Sequence, residues 1–185
     1  PSAGVDGFGT AFPYVAGPIV LGGAAGAAVI STQAPSFGMA LPPGDPTVNV
    51  INGRAPSGPR EIALESATLA SAGLSVGDRT RVVLAGTVHD VQVVGEISMG
   101  TPMAGATIVF LDEATATTTY APDGQVPRIT VYATPGVSEP DLVASLTPVL
   151  AHDGAATQAI TGDAMRTEAT ADIEGMLGFV QTFML

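Results

Sequence analysis

The stretch NGRAPSGPREIALESATLASAGLSVGDRTRVVLAGTVHDVQVVGEI, residues 52–97, decides the fold. Glu61 to Leu64 reads as a short strand. Ser66 to Ala72 is alanine-rich and reads as a short helix, which Gly73 can end in the left-handed conformation that glycine tolerates. Ser75-Val76-Gly77-Asp78 reads as a tight turn. Thr80 to Leu84 and Val88 to Ile97 then predict a hairpin around Ala85-Gly86-Thr87. Val82 and Leu84 share one face of it, as do Val91 and Val93. Strand, helix and hairpin in such short succession predict an α+β domain of mixed small sheets with short helices.

Working outward, Thr107 to Leu111 is a further buried strand, and Asp112 caps a short helix through about Tyr120 with Glu113 near its positive end. Arg128 to Ala133 alternates, which places Ile129, Val131 and Ala133 inward. Pro135-Gly136 turns the chain into a helix capped by Ser138, with Leu142, Val143, Leu146 and Val149 as its apolar stripe. Pro140 is tolerated in the first turn, whereas Pro148 is expected to end or distort the last. Ala156 to Thr161 reads as a strand, completing a β-α-β segment. The expected core comprises Val82, Leu84, Val93, Ile108, Ile129, Val131, Leu142 and Leu146. On the other side, Gly7 to Gly44 carries no charge. Its prolines and its alanine-glycine character argue against a membrane helix, and Tyr14 to Leu21 pairs with Ala27 to Gln33 through Gly22, Gly23 and Gly26. A Pro-rich connection then ends near Asn49 to Ile51.

The last segment changes solvent along its length. Thr161 or Asp163 caps a helix whose first half holds Asp163, Glu168, Asp172 and Glu174. From Gly175 it is apolar on all sides, through Met176, Leu177, Phe179, Val180 and Phe183, and a helix of that kind needs burial or lipid. Residues 175–185 reach roughly 16 Å at about 1.5 Å each, half a hydrocarbon core, so they are expected to open a membrane helix rather than span alone.

Composition excludes several classes of function. With six Arg, no Lys and 17 carboxylates, the chain carries a formal charge of −11. That charge repels phosphate backbones, so nucleic acid is not an expected partner. Without cysteine there is no disulfide framework, thiolate nucleophile or cysteine zinc site. Without lysine there is no P-loop, and Gly22-Gly23-Ala24-Ala25-Gly26 lacks dinucleotide spacing. Ser98 in Gly95 to Gly100 sits one residue too far along for a nucleophile elbow. His89 and Asp90 are strand neighbours on opposite faces, and His152 suits a helix exit. The acidic residues are scattered, and Arg79 and Arg81 share the solvent face of their strand. No catalytic residue, cofactor-binding residue or metal ligand is expected. The loop SMGTPMAG offers Met99, Pro102 and Met103 as a pliable partner contact, with core packing as the competing role.

Gly53-Arg54, Glu61-Ile62-Ala63-Leu64, Ala70, Gly73-Leu74-Ser75-Val76-Gly77-Asp78 and Val93-Val94-Gly95 resemble, in order, the periplasmic core domain of MacB/FtsX-like ABC transporter permeases. PRITVYATPGVSEPDLVASL, Pro127 to Leu146, matches that family's next segment. The similarity covers Val48 to Leu185. Before Val48 the chain departs from the pattern, beginning in a glycine-rich stretch where a helix would leave the first membrane segment.

The resemblance implies an extracytoplasmic domain between two membrane helices. Its membrane-proximal subdomain would comprise 1–47 with 121–174, its inserted distal subdomain 48–120, and 175–185 would start the second membrane helix. It also implies a permease that couples cytosolic ATP hydrolysis to export or to mechanotransmission outside the membrane. ATP would bind a partner ATPase subunit, with no cofactor in this chain. A second permease copy and an extracytoplasmic substrate or protein complete the implied partners. The rival classes are a cell-surface ligand-binding or adhesion module, and a double-psi-type barrel enzyme that would need a concave site with convergent polar groups.

Overall fold

The structure is a computed structural model and describes residues 5–30, 34–99, 105–152, 157–165 and 167. Its strands in chain order are β1 (Phe8–Pro13), β2 (Ala16–Gly22), β3 (Ala28–Val29), β4 (Ser36–Ala40) and β5 (Asn49–Gly53). β6 (Glu61–Glu65), helix α1 (Ser66–Ala72), β7 (Arg79–Leu84), β8 (Thr87–Ser98) and β9 (Thr107–Leu111) follow. Helix α2 (Glu113–Tyr120), β10 (Ile129–Ala133) and helix α3 (Glu139–His152) complete the set. The chain divides into two compact units, Phe12–Thr130 and Pro1–Ala11 with Val131–Leu185.

In the larger unit the sheet closes on itself. β2 pairs with β4, β4 with β9, β9 with β6 and β6 with β8, while β7 bridges β8 back to β2. The result is a six-stranded barrel to which β3 and β5 add flanking strands. Strand periodicity fills its interior. Ile19 and Leu21, Ile62 and Leu64, Val82 and Leu84, Val91 and Val93, and Val109 and Leu111 form one buried cluster, two inward residues from each of five strands. A second cluster lies on the outer face, where Ala63, Ile97, Ile108 and Phe110 are covered by Leu41, Met39 and Val48.

Ile97 follows Val91 and Val93 at even spacing and would point inward in a regular strand. A β-bulge prevents this, because the register of β6 against β8 jumps from Ile62↔Val93 to Ala63↔Gly95. The extra residue, Val94, turns the rest of β8 over and delivers Ile97 to the outer cluster.

A helix covers each end of the barrel. At one end, α1 contributes Ala72 and Leu69 to the interior cluster. Its N-cap is Glu65, whose buried carboxylate accepts from the backbone N–H groups of Ala67 and Thr68 (2.8 and 3.1 Å). Gly73 ends the helix at φ 65°, as its sequence position predicts. Thr68 reaches across, its hydroxyl accepting from the Ile108 N–H at 2.9 Å. At the other end, Asp112 caps α2 by accepting from the Thr115 N–H at 3.1 Å, and Ala116 and Tyr120 face the core. The Tyr120 side chain covers the paired residues Gly17 and Gly38: an added Cβ would sit 2.3 Å from the ring at Gly17 and 2.4 Å from the hydroxyl oxygen at Gly38. Its hydroxyl donates to the Pro18 carbonyl at 3.1 Å, and partial burial raises its pKa to about 12.

The residues of β1 and β10 fall partly in each unit, Ile129 and Thr130 in the larger and Val131 to Ala133 in the smaller. β1 and β10 make a two-stranded sheet, and Thr134 donates its N–H to Gly7 at 2.9 Å. A two-stranded ribbon has too little cover to bury every alternate residue. Ile129, expected inside, is therefore 57% exposed, and Val131 is only half-buried. Ser138 caps α3 as expected, its hydroxyl accepting from the Asp141 N–H at 3.3 Å. Leu142 is buried, but Leu146 is half-buried and Val149 exposed, so the apolar stripe is used only near its start. Pro148 does not end the helix, which runs on to His152 with the Thr147 hydroxyl donating to Val143 at 2.7 Å. The β-α-β expectation also changes, because residues 157–161 carry no strand. Gly162 donates its N–H to the Glu139 carboxylate, and Thr161, one of the two expected caps, accepts from the Ala164 N–H at the start of helix 162–165.

The expected grouping of 1–47 with 121–174 differs from this division. β2 and β4 are staves of the same barrel as β6 to β9, because Ile19 and Leu21 need the interior that those strands enclose. Residues 12–47 therefore belong with 48–120, and the boundary falls near residues 11 and 131. Asn49 to Gly53, expected to end a connection, is strand β5.

Thermal denaturation tests the end-cap. Gly38→Ala is expected to cost about 1–3 kcal/mol by pushing on the Tyr120 hydroxyl. Leu64→Ala, which empties the interior, is expected to cost about 2–5 kcal/mol. A Gly38→Ala chain melting like the parent would show that Tyr120 does not pin α2.

Candidate functional site

The sequence motifs of residues 53–95 meet on one short piece of β8. Gly77 donates its N–H to the Val93 carbonyl at 2.8 Å, and Val93 donates back to Asp78 at 2.9 Å. The preceding turn is closed by Asp78, whose carboxylate accepts from the Ser75 N–H at 2.8 Å. On the following residue, Arg54 donates its N–H to the Val94 carbonyl at 2.9 Å. The two backbones touch here. A Cβ on Gly53, which sits at φ 73°, would lie 2.2 Å from the Val94 carbonyl oxygen, and one on Gly95 would lie 2.1 Å from that of Arg54. Both positions therefore require glycine.

An ion pair clamps the loop that leaves this crossing. The guanidinium of Arg54 engages both carboxylate oxygens of Glu61, one of them at 2.7 Å through Nη1. Nη1 also donates to the Ala55 carbonyl and the Ser57 hydroxyl, each at 3.1 Å. Glu61 accepts in addition from the Ser57 N–H and hydroxyl, each at 2.9 Å. The Arg54 hydrogen bonds, followed by those of Ser57, hold the Glu61 carboxyl at about 2. This network is architectural: it fixes residues 54–61 and presents no free nucleophile, acid or base.

Among the described residues, a shallow concave feature of the barrel lies at its α2 end. His89 pairs with Val82 and so belongs to the inward-facing set of β8, but it sits beyond the filled interior. With Leu84 and Ala85 of the β7–β8 hairpin and Thr115, Thr118 and Thr119 of α2, it lines a half-open cleft of about 290 Å³. The three threonines share one helix face by their spacing. Ala85 adopts φ 47°, alone among the described non-glycine residues in the left-handed region.

The residues singled out from sequence are not brought together. Met99 is half-buried against the outer cluster, where it packs on the sheet. Pro102 and Met103 lie outside the described residues, as do Met176, Leu177, Phe179, Val180 and Phe183. His89 stands in the cleft, and His152 closes α3 far along the chain. Arg79 and Arg81 are exposed on one face of β7, as their alternation predicts. Among the described residues, no group of three or more His, Asp or Glu is placed to hold a metal ion. Sequence reasoning missed the cleft, and the signal it left unused is the threonine spacing at 115, 118 and 119.

No family model matches the sequence, and no curated protein matches it. Solved structures do. The fold is similar to the extracellular domain of the noncanonic ABC-type transporter YknZ from Gram-positive bacteria, with a TM-score of 0.54 at 14% identity over 84% of this chain and 81% of that one. It is similar also to the periplasmic region of MacB from Actinobacillus actinomycetemcomitans, with a TM-score of 0.54 at 13% identity over 88% of this chain and 76% of that one. The chain thus has the α+β fold of extracytoplasmic domains of ABC transporters.

The clamp makes a prediction about pH. A carboxyl held below its ordinary value stabilises the fold fully above the unfolded pKa of about 4.3, and that contribution is lost as pH falls through the folded value. Melting temperature should therefore drop between pH 4.5 and 2 more steeply in the parent than in Glu61→Gln. Parallel pH profiles for the two chains would mean that the clamp does not form in solution.

Proposed function

We propose that this chain is the extracytoplasmic domain of an ABC transporter permease. The observation that carries the reading is the shared fold with two such transporter domains across more than four-fifths of the chain. The order of the motifs supports it, since several of the residues that resemble the permease family, Gly53-Arg54, Gly77-Asp78 and Val93 to Gly95, build the crossing on β8. In this reading the domain catalyses nothing. It works as a recognition and force-bearing module, while a cytosolic partner subunit binds and hydrolyses ATP and a second permease copy completes the transporter.

The membrane connection rests on the sequence of 175–185. Among the described residues no helix is long and apolar enough to cross a membrane. Met176, Leu177, Phe179, Val180 and Phe183 would enter the bilayer and carry movement between the ATPase and the barrel. The reading covers both export and mechanotransmission.

Labelling tests the placement. Residues 1–185 contain no cysteine, so Ala114→Cys, on the exposed face of α2, gives the domain a single thiol, read against the full-length parent as background. In intact cells expressing the full-length protein, a membrane-impermeant maleimide is expected to label it to the same extent as after lysis. Labelling only after lysis would overturn the extracytoplasmic reading.

A further inference from the structure

The outer face of the barrel over β2, β7 and β8 departs from the pattern that its interior obeys. An antiparallel strand buried on one side ordinarily turns polar residues to water on the other. Here Val20, Val83 and Val88, each an outward residue of its strand, stand directly opposite one another, Val20↔Val83 on one side and Val83↔Val88 on the other. Val20 is 42% and Val88 60% exposed, with Val83 half-buried between them. The three make one apolar row across three strands, roughly 10 Å from end to end at about 4.8 Å per strand. Single exposed valines are ordinary, whereas three in register form a continuous apolar strip. Charge lies on one side of that strip only. The next outward residues of β7 are Arg81 and Arg79, both exposed and neither ion-paired among the described residues. Arg81 stands opposite Asp90, and Arg79 opposite the neutral Gln92. Beyond the other side of the row, Pro18 and the turn residues Ala85 and Gly86 carry no charge.

That asymmetry selects the occupant. A second copy docked row to row would bring the arginines either against their own counterparts, which repel, or over the uncharged side, which offers no counter-charge. An extended segment adds to a sheet only at an edge, and β7 is already paired on both sides, to β2 and to β8. A helix laid across the strands matches the spacing. Each turn advances about 5.4 Å, close to one strand, so apolar residues at i, i+4 and i+7 reach the three valines in succession. Carboxylates on the flank of that helix toward β7 meet Arg81 and Arg79, most favourably at Arg79, where Gln92 offers no competing charge. We propose that the outer face of β2, β7 and β8 docks an amphipathic helix of a partner protein, with its apolar stripe on the valine row and an acidic flank against Arg79 and Arg81. The proposal does not depend on the transporter reading.

The test is a ¹H–¹⁵N NMR titration of the full chain with two synthetic helical peptides that share a leucine stripe at i, i+4 and i+7 and carry either glutamate or lysine along one flank. The glutamate peptide should give saturable shifts confined to amides of residues 18–22, 79–83 and 88–92. Its dissociation constant should be on the order of 100 μM, as suits a contact well below the standard interface of about 800 Å² per partner. The paired change Arg79→Gln with Arg81→Gln should weaken it about fivefold and flatten its dependence on salt. Val88→Thr should weaken it as well, through the apolar row. These positions are exposed, so the fold is expected to tolerate all three changes. Absence of saturable shifts with the glutamate peptide, shifts centred elsewhere, or unchanged affinity in the arginine variant overturns the proposal. Equal binding of the lysine peptide overturns it too, because charge would then select nothing. Concentration-dependent shifts of the same amides without peptide would make a second copy the occupant, and would also overturn it.

Discussion

The structure depends on two backbones passing within contact distance where Gly53 meets Gly95. β8 serves two neighbours in succession along one edge, first β7, which closes the barrel, and then the flanking strand β5, while holding β6 along the other. The bulge at Val94 makes that exchange possible. It redirects β8 at the point where Arg54 docks on the Val94 carbonyl, and the missing side chains of Gly53 and Gly95 leave room for it. The turn from Ser75 to Asp78 is hydrogen-bonded to Val93, one residue before the bulge, and Arg54–Glu61 ties down the loop one residue after. Gly53-Arg54, Glu61, the turn from Ser75 to Asp78 and Val93 to Gly95, which are among the motifs that suggested a family, are thus parts of a single joint.

That joint explains why the middle of the chain was legible and its flanks less so. Between Glu61 and Tyr120 each element has its own punctuation: Gly73 at a helix end, a four-residue turn before β7, Ala85-Gly86 in the hairpin, Asp112 at a cap. The strands and helices expected there are those observed. Closure of the sheet was not legible, because it depends on β2 meeting β7, and no local pattern announces a pairing some sixty residues away. The bulge was hidden for a related reason, since even spacing from Val91 to Ile97 reads as one uninterrupted face. The threonine face of α2 was visible as spacing, but only the β7–β8 hairpin opposite makes it one wall of a cleft.

The β1–β10 sheet and α3 show the opposite failure. Their residues alternate well enough to predict burial, but a two-stranded ribbon gives Ile129 and Val131 little to pack against, and α3 buries Leu142 far better than Val149. Periodicity reports which face is apolar. Whether a second layer covers that face is a tertiary fact. Function divides along the same line: the fold relates the chain to extracytoplasmic transporter domains, whereas the joint on β8 is rigid architecture and the cleft is an independent chemical feature.

Native-state hydrogen exchange measures the joint directly. If the crossing holds the barrel closed, the amides of Arg54, Gly77 and Val93 exchange only through global unfolding, with the same opening free energy as the interior amides of β6 and β9. Exchange of those three through a local opening, while β6 and β9 stay protected, would contradict the claim that the rest of the structure depends on them.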